Sequence, residues 1–260
     1  MDGKPAPKKI RCNEQVFSLD FHPNGGYLAA GLVDGSVELW RYSSDEKNSR
    51  VLNFQTHMQS CRALAFNAGG DALISASSDK SWRVCDSQGK VITEAIDAHA
   101  AALNRLCLID ENTIATGDDN GVVKLWDLRA PQKSTVSWDV HTDFVSDLLY
   151  HEDSYQVFSS SGDTTLGVCD IRHQKNFYKS DDQESELTCL QLLRHGKKLF
   201  CGTQEGVLLI FNFKAWGDCC DRYPGHPESV DSMLKFDETT LITGSSDGLV
   251  RVVGVYPNKV

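Results

Sequence analysis

Four histidines, His57, His99, His141 and His226, each stand four residues ahead of an apolar segment. Downstream of each lies a residue suited to a tight turn: Asp79, Asn120, Asp163 and Asp247. Together with nearby serines, these are the residue types of a hydrolase triad, in which a histidine activates a hydroxyl and an aspartate orients the histidine. Such a triad occurs once in a protein, with a strained nucleophile elbow and an oxyanion hole. Here the set recurs in four copies at fixed register, which is what a structural network requires. A buried histidine donating to a turn aspartate satisfies polar groups that would be costly unpaired inside a sheet. No catalytic residue is therefore assigned.

Other reactive chemistry is no better supported. The sequence contains no GxxxxGK[ST] or GxGxxG phosphate cradle, and no cofactor is expected. The nine cysteines are odd in number and sit mostly in apolar runs, as Cys107 and Cys201 do, where a free thiol behaves as a small buried hydrophobe; this usage points to an intracellular address. Adjacent Cys219 and Cys220 make a poor chelate without a CxxC or HxxxH partner, so no metal is expected. The acidic run 181–186, DDQESE, reads first as a solvated loop and second as a contact for a basic partner. The net charge of −10 and pI of about 5.2 oppose direct nucleic-acid binding over a broad face, while leaving room for a local basic patch. Lys4, Lys8, Lys9 and Arg11 read as a solvated tail or a nuclear-import signal. No apolar run is long enough to span a membrane, and residues 1–11 lack the apolar segment of a secretory signal.

The elements that must position the histidine sets repeat with them. Six segments read VDGSVELWR (33–41), SDKSWRVCD (78–86), DNGVVKLWD (119–127), GDTTLGVCD (162–170), QEGVLLIFN (204–212) and SDGLVRVVG (246–254). Their turn residues Asp34, Asp79, Asn120, Asp163, Glu205 and Asp247 are spaced by 45, 41, 43, 42 and 42 residues. Asp-Gly or Asn-Gly between apolar runs is a strong hairpin signal, because the tight turn needs positive φ. A further strand precedes each turn unit, as in CRALAF (61–66), and another follows it, as in STVSWDV (134–140). The unit is thus four short antiparallel strands. Packing such sheets radially covers both faces of each, so an all-β propeller is expected.

KLWD (124–127), the spaced histidines and the Asp-Gly turns resemble the WD-repeat superfamily across residues 16–254. In that family a loop His, a strand Ser or Thr, a turn Asp and a strand Trp form one hydrogen-bonded set. The resemblance places His57, Ser75 and Asp79 in repeat 2, with Cys85 at the Trp position. It places His99, Thr116 and Trp126 in repeat 3, with Asn120 at the Asp position. Repeat 4 carries His141, Ser159 and Asp163 with Cys169 for Trp, and repeat 6 carries His226, Thr243 and Asp247 with Val253 for Trp. No repeat has all four members, which implies weaker blade locks.

Segments 113–129, 159–172, 196–206, 221–231 and 241–260 are similar, more specifically, to the WD repeat-containing protein 55 family. That resemblance implies a nucleolar propeller acting in ribosomal-RNA maturation and large-subunit assembly. The partners it implies are pre-ribosomal factors or ribosomal proteins, in the nucleus and nucleolus and also the cytoplasm. It divides the chain into an N-terminal arm (1–10) and a propeller (11–260), with repeats at about 11–56, 57–98, 99–140, 141–182, 183–225 and 226–260. The family continues with a further repeat and a charged tail, so the expectation is six recognisable four-stranded repeats of a truncated seven-bladed ring. The competing expectation is a closed six-repeat ring in which residues 8–15 supply an outer strand.

Within the superfamily, WDxR at the end of a repeat resembles the box that docks substrate receptors onto the propeller adaptor of cullin-RING ubiquitin ligases. Trp126, Asp127 and Arg129 are the candidates for that alternative function, with Arg129 as the planar hydrogen-bonding contact. The narrower propeller face is the usual partner face. By register it takes Gln15, Phe17, Ser60, Arg62, Asn104, Phe144, Ser146, Glu186, Ser229 and Asp231, with Phe144 and Arg62 as leading anchors.

Overall fold

The computed structural model describes residues 8–43 and 47–255. Residues 1–7 of the expected N-terminal arm and the terminal PNKV segment lie outside the described residues. The described chain is all-β apart from one 3-10 turn, Glu152–Ser154. The first sheet contains β1 (Val16–Phe21), β2 (Tyr27–Leu32), β3 (Ser36–Arg41) and β4 (Ser49–Gln55). The second contains β5 (Cys61–Phe66), β6 (Ala72–Ser77), β7 (Trp82–Asp86) and β8 (Val91–Ala95), and the third β9 (Leu103–Leu108), β10 (Thr113–Asp118), β11 (Val122–Asp127) and β12 (Val136–Asp139). The fourth contains β13 (Val145–His151), β14 (Gln156–Ser161), β15 (Leu166–Asp170) and β16 (Phe177–Lys179). The fifth contains β17 (Leu187–Leu193), β18 (Lys198–Thr203), β19 (Val207–Asn212) and β20 (Asp221–Pro224), and the sixth β21 (Val230–Asp237), β22 (Thr240–Ser245) and β23 (Val250–Gly254). Strands pair in chain order within every sheet, the meander of a WD-repeat β-propeller blade.

The expectation of four strands per repeat is met in five sheets; the sixth has three among the described residues. Residues 8–15 do not supply an outer strand. Asn13 N–H instead donates to Glu38 Oε1 at 3.3 Å, and the Lys8 carbonyl accepts from Asn48 Nδ2 at 2.6 Å.

The turns follow from the residues that form them. Gly35 and Gly121 adopt φ of +84° and +82°, and a Cβ at either would lie within 2.5 Å of a backbone carbonyl in the following His segment. The same turn position holds Lys80 (φ 69°) and Thr164 (φ 70°) in the second and fourth sheets, so two turns carry a side chain where the backbone favours glycine. These turns also tie successive repeats together. His57 N–H donates to the Gly35 carbonyl at 3.0 Å, and His141 N–H to the Gly121 carbonyl at 3.1 Å.

The chain divides into two compact units, Met1–Thr116 with Leu125–Thr135, and Gly117–Lys124 with Val136–Val260. In the first, Trp82 is fully buried and meets Trp126 edge-on, with centroids 5.7 Å apart, among Ile74, Leu103 and Ile114. A second cluster places Leu64 and Phe66 of β5 against Ala29, Val37 and Leu39 of the preceding sheet. In the second unit, Phe158, Leu187, Leu199, Phe211 and Trp216 form one cluster, and Cys189, Phe200, Leu208, Val230 and Leu241 another. Each fully buried side chain of this size contributes ~1.5–3 kcal/mol. The strands β2, β6, β10, β14 and β18 are buried along nearly their whole length, as strands covered on both faces must be. β22 is less buried, and its neighbours Leu234, Val250 and Val252 are exposed. Phe17, Leu19 and Phe21 form a comparable exposed stripe on β1.

Candidate functional site

The histidines sit on the segments that lead into β5, β9, β13 and β21, and their rings point inward. His57, His99, His141 and His226 are all buried, as are Ser75, Thr116, Ser159 and Thr243 on the strands beside them. In repeat 2, His57 Nδ1 lies 3.2 Å from Asp79 Oδ2 and 3.0 Å from Ser81 Oγ, while Nε2 lies 2.9 Å from Ser75 Oγ. With the proton on Nδ1, the ring donates to the turn and accepts from Ser75. Ser81 in turn donates to Asp79 Oδ1 at 2.5 Å. Repeat 4 repeats this geometry: His141 Nδ1 is 3.2 Å from Asp163 and 2.9 Å from Thr165, and Nε2 is 2.7 Å from Ser159. Asp163 also accepts from Lys179 Nζ at 2.9 Å.

Burial alone would push the Asp79 and Asp163 carboxyls up. The hydrogen bonds from His57 and Ser81 to the first, and from His141, Thr165 and Lys179 to the second, outweigh it and hold both well below the usual carboxylate range. Repeats 2 and 4 lack the tryptophan, as their sequence states, yet each histidine still has a third partner. A hydroxyl two residues after the aspartate, Ser81 or Thr165, takes the fourth place from the opposite side of the ring. The D-x-[ST] spacing carries that signal in the sequence. Repeat 1 shows it too, where Ser36 Oγ donates to Asp34 Oδ1 at 2.6 Å.

Repeats 3 and 6 have Val122 and Leu249 at the hydroxyl position and are built differently. In repeat 3, Trp126 Nε1–H donates to Thr116 Oγ1 at 2.9 Å, and Thr116 lies 2.7 Å from His99 Nε2, a three-residue relay. In repeat 6, His226 Nε2 bonds Thr243 Oγ1 at 2.8 Å, but the assignment of Asp247 to the same set is not met. Asp247 pairs with Arg251 instead, at 3.1 and 2.6 Å, and His226 Nδ1 is left without a hydrogen-bond partner. Burial and the Arg251 charge hold the His226 pKa below the ordinary histidine value, while the Arg251 hydrogen bonds bring Asp247 down to about 2.

Repeat 1 has an anchor that sequence reasoning missed. Glu38 on β3 is fully buried and accepts from Trp40 Nε1 at 2.8 Å and Arg50 Nη1 at 2.7 Å, with Arg50 also 6.0 Å from the Trp40 ring. An alternating E-L-W-R strand reads as a solvent-facing glutamate, and only the pairing of β3 with β4 brings Arg50 across to it.

The WDxR residues separate. Trp126 is buried in the core and committed to Thr116, so it offers nothing to a partner. Arg129 is exposed and forks onto Asp127 at 2.9 and 2.7 Å, a pairing that draws the Asp127 carboxyl down to about 2. Arg172 makes the same fork onto Asp170, at 3.2 and 3.1 Å. D-x-R is thus a turn clasp used in two repeats.

The partner-face residues also diverge. In the first unit Phe17 is exposed within the β1 apolar stripe, and Arg62 and Asn104 are half-buried. In the second, Asp231 is exposed and accepts from Ser229 Oγ at 2.6 Å, whereas the half-buried Phe144 ring lies against Gly162. Ser146 and Ser229 are buried, and Ser146 Oγ bonds Ser160 and the Leu187 carbonyl, which corrects their placement on a contact face. Cys61, Cys169, Cys189 and Cys201 are buried thiols pushed up by desolvation, and Cys220 is exposed.

A family model described as WDR55 matches residues 7–260. The chain is similar to WD repeat-containing protein 55 of Arabidopsis thaliana, 38% identical over 254 residues that cover 97% of this chain and 72% of that protein. It is 36% identical over 268 residues to the human protein of the same name, covering 100% of this chain and 70% of the relative. WD repeat-containing protein JIP5 of Coprinopsis cinerea is 36% identical over 262 residues, covering 96% of this chain and 64% of that protein.

Proposed function

The chain belongs to the WDR55 family of WD-repeat proteins, and from that premise we propose that it is a non-catalytic scaffold that binds proteins during large ribosomal subunit assembly and ribosomal-RNA maturation. Its partners in this reading are pre-ribosomal factors or ribosomal proteins, met in the nucleolus and nucleus, with a cytoplasmic pool. The observation that carries the non-catalytic part is the state of the candidate reactive hydroxyls. Ser75 and Ser159 are each 1% exposed and already bonded to their histidines, so no substrate reaches them. A hydroxyl committed to a buried imidazole stabilises a blade and cannot attack a carbonyl outside it. The ribosomal part rests on the resemblance of segments 113–129, 159–172, 196–206, 221–231 and 241–260, made specific by the non-repetitive stretch before Asp221 and the terminal PNKV.

The test is affinity purification of the tagged chain from growing cells, with mass spectrometry of bound proteins, imaging of the tag and gel analysis of precursor ribosomal RNA after depletion. Enrichment of large-subunit precursors, nucleolar signal and accumulation of unprocessed RNA are expected. A depletion that leaves precursor RNA unchanged, with no pre-ribosomal protein recovered, overturns the reading.

A further inference from the structure

A chain with 36 acidic and 26 basic residues carries one region where the balance inverts. Residues 151–156, 170–179, 194–198 and 213–217 hold seven Lys and Arg against three Asp and Glu. Within the second unit they border two adjoining clefts of about 390 and 480 Å³ that share Gln156 and Lys214, although Lys179 is already held by Asp163. Arg172, Lys197 and Lys214 line them, with His151, His173 and His195 between. Two of the three acids in these segments are already opposed by base, Asp170 by Arg172 and His173 and Asp153 by His151 at 3.9 Å, while Asp181, just outside them, places its carboxylate beside Gly217 and Tyr178. Glu238, from the sixth sheet, faces His195 at 3.7 Å. Among the described residues no ion pair holds Lys175, Lys197 or Lys214.

Three further features single the region out. Aromatic rings stand open beside the charges: Tyr155, Phe177 and Tyr178 are 46%, 41% and 49% exposed, and the Arg172 guanidinium lies 4.9 Å over the Tyr155 ring. The Gln156 Oε1 atom, on the wall of both clefts, is buried with no hydrogen-bond partner. Tyr155, Arg194, His195 and Lys214 all hold positive φ, so four strained non-glycine residues gather at this rim. Strain of that kind persists where surrounding structure holds side chains in a required arrangement.

We propose that this cleft binds single-stranded RNA, with Arg172, Lys197 and Lys214 on phosphates and Phe177 and Tyr178 as stacking platforms for bases. An acidic peptide would satisfy the charges but leaves the open rings without a role, whereas every base has a π-face to lay on them. A broad nucleic-acid face remains opposed by the net charge; a short groove does not require one. The inference goes beyond the protein-scaffold reading and stands without it, since binding is read on the purified chain.

The experiment is fluorescence anisotropy of a labelled oligouridylate of about twelve nucleotides, a length that spans one such groove, titrated with the full chain across a salt series. Arg172→Glu, Lys197→Glu and Lys214→Glu together are expected to weaken binding about tenfold or more and to make the log–log salt slope shallower by about 2, at ~0.7 per lost phosphate contact. Phe177→Ala with Tyr178→Ala is expected to weaken binding about fivefold or more while leaving the salt slope in place. Because charge reversal at turns can unfold a blade, the unaltered chain is also photocrosslinked to 4-thiouridine RNA, with adducts expected within 151–179 and 194–217. No binding by the unaltered chain, adducts confined to other segments, or a polyglutamate competitor as effective as RNA with the aromatic variants unaffected would each overturn the proposal.

Discussion

His141 and Asp163 are joined across the fourth sheet by a 3.2 Å contact whose aspartate also holds Thr165 and Lys179, so one carboxylate links a loop, a turn and an outer strand. Asp79 holds His57, Ser81 and the Met58 N–H in the same way, without an equivalent of the lysine bond. Removing either carboxylate leaves the buried imidazole donor only the hydroxyl of Ser81 or Thr165 and takes away that hydroxyl's own charged acceptor, a loss of about 1.5–3 kcal/mol for hydrogen bonds to a charged group. Asp163→Ala is therefore expected to destabilise the protein more than Asp79→Ala, as read from urea denaturation midpoints. Equal midpoints for the two variants would show that Lys179 contributes nothing.

The same pair sets a pH dependence. Both carboxyls lie far below their unfolded value of about 3.9, so their stabilisation is complete above that value and is lost as pH falls through it toward the folded values. The melting temperature should drop steeply below about pH 4. In Asp163→Asn the starting stability is lower but the acid decline is shallower, because a titrating group has been removed. Circular dichroism melts across that range check this, and parallel declines in the two proteins would refute it.

Repeat 6 predicts the opposite ranking of its two polar residues. Asp247 serves Arg251 near the surface, where solvent screens the pair and little stability rests on it. Thr243 is the hydrogen-bond partner of the buried His226, whose Nδ1 is already unpaired. Thr243→Val leaves both ring nitrogens unpaired, costing about 1–3 kcal/mol, whereas Asp247→Asn is nearly neutral. Denaturation midpoints again decide. A larger loss in Asp247→Asn would restore the aspartate to the histidine set.

What could be read from the sequence was the periodic part. Turn residues recur because positive φ is a local requirement that a local residue choice satisfies, by glycine in four repeats, and the even spacing of Asp34, Asp79, Asn120, Asp163, Glu205 and Asp247 marked each of the six sheets. The closed sets of repeats 2 and 4 were legible in three of four members. Ser81 and Thr165 lie outside the periodic signal, since a hydroxyl two residues after the turn recurs only in repeats 1, 2 and 4, with Val122, Val207 and Leu249 elsewhere. Glu38 escaped for a different reason: its partner Arg50 lies on a strand whose register no local pattern fixes. The exchange of Asp247 from His226 to Arg251 is a competition between two nearby cations or donors, which spacing cannot rank. Burial of Ser146 and Ser229 depends on the packing of the next sheet's first strand, since Ser146 Oγ reaches the Leu187 carbonyl. The basic cleft had no sequence signal of its own, because its residues come from segments up to about sixty positions apart.

The turns offer a gain in stability. Thr164 holds φ of 70° between Asp163 and Thr165, where repeats 1, 3, 5 and 6 place Gly35, Gly121, Gly206 and Gly248. A β-branched residue in the left-handed region costs about 1–2 kcal/mol, partly offset by the extra unfolded-state freedom of glycine, up to about 1 kcal/mol. Thr164→Gly is expected to raise stability by about 0.5–1 kcal/mol, and Lys80→Gly by somewhat less, because lysine is unbranched at Cβ. Neither substitution removes a backbone bond: Lys80 O accepts from Ala98 N–H at 2.8 Å and Thr164 O from Gln183 N–H at 3.1 Å, and both carbonyls remain. Thermal melts of the two single variants and the double variant test the idea. Additive increases are expected, since the two turns lie in different units. A fall in melting temperature for Thr164→Gly would mean that its side chain stabilises the turn more than the backbone strain costs.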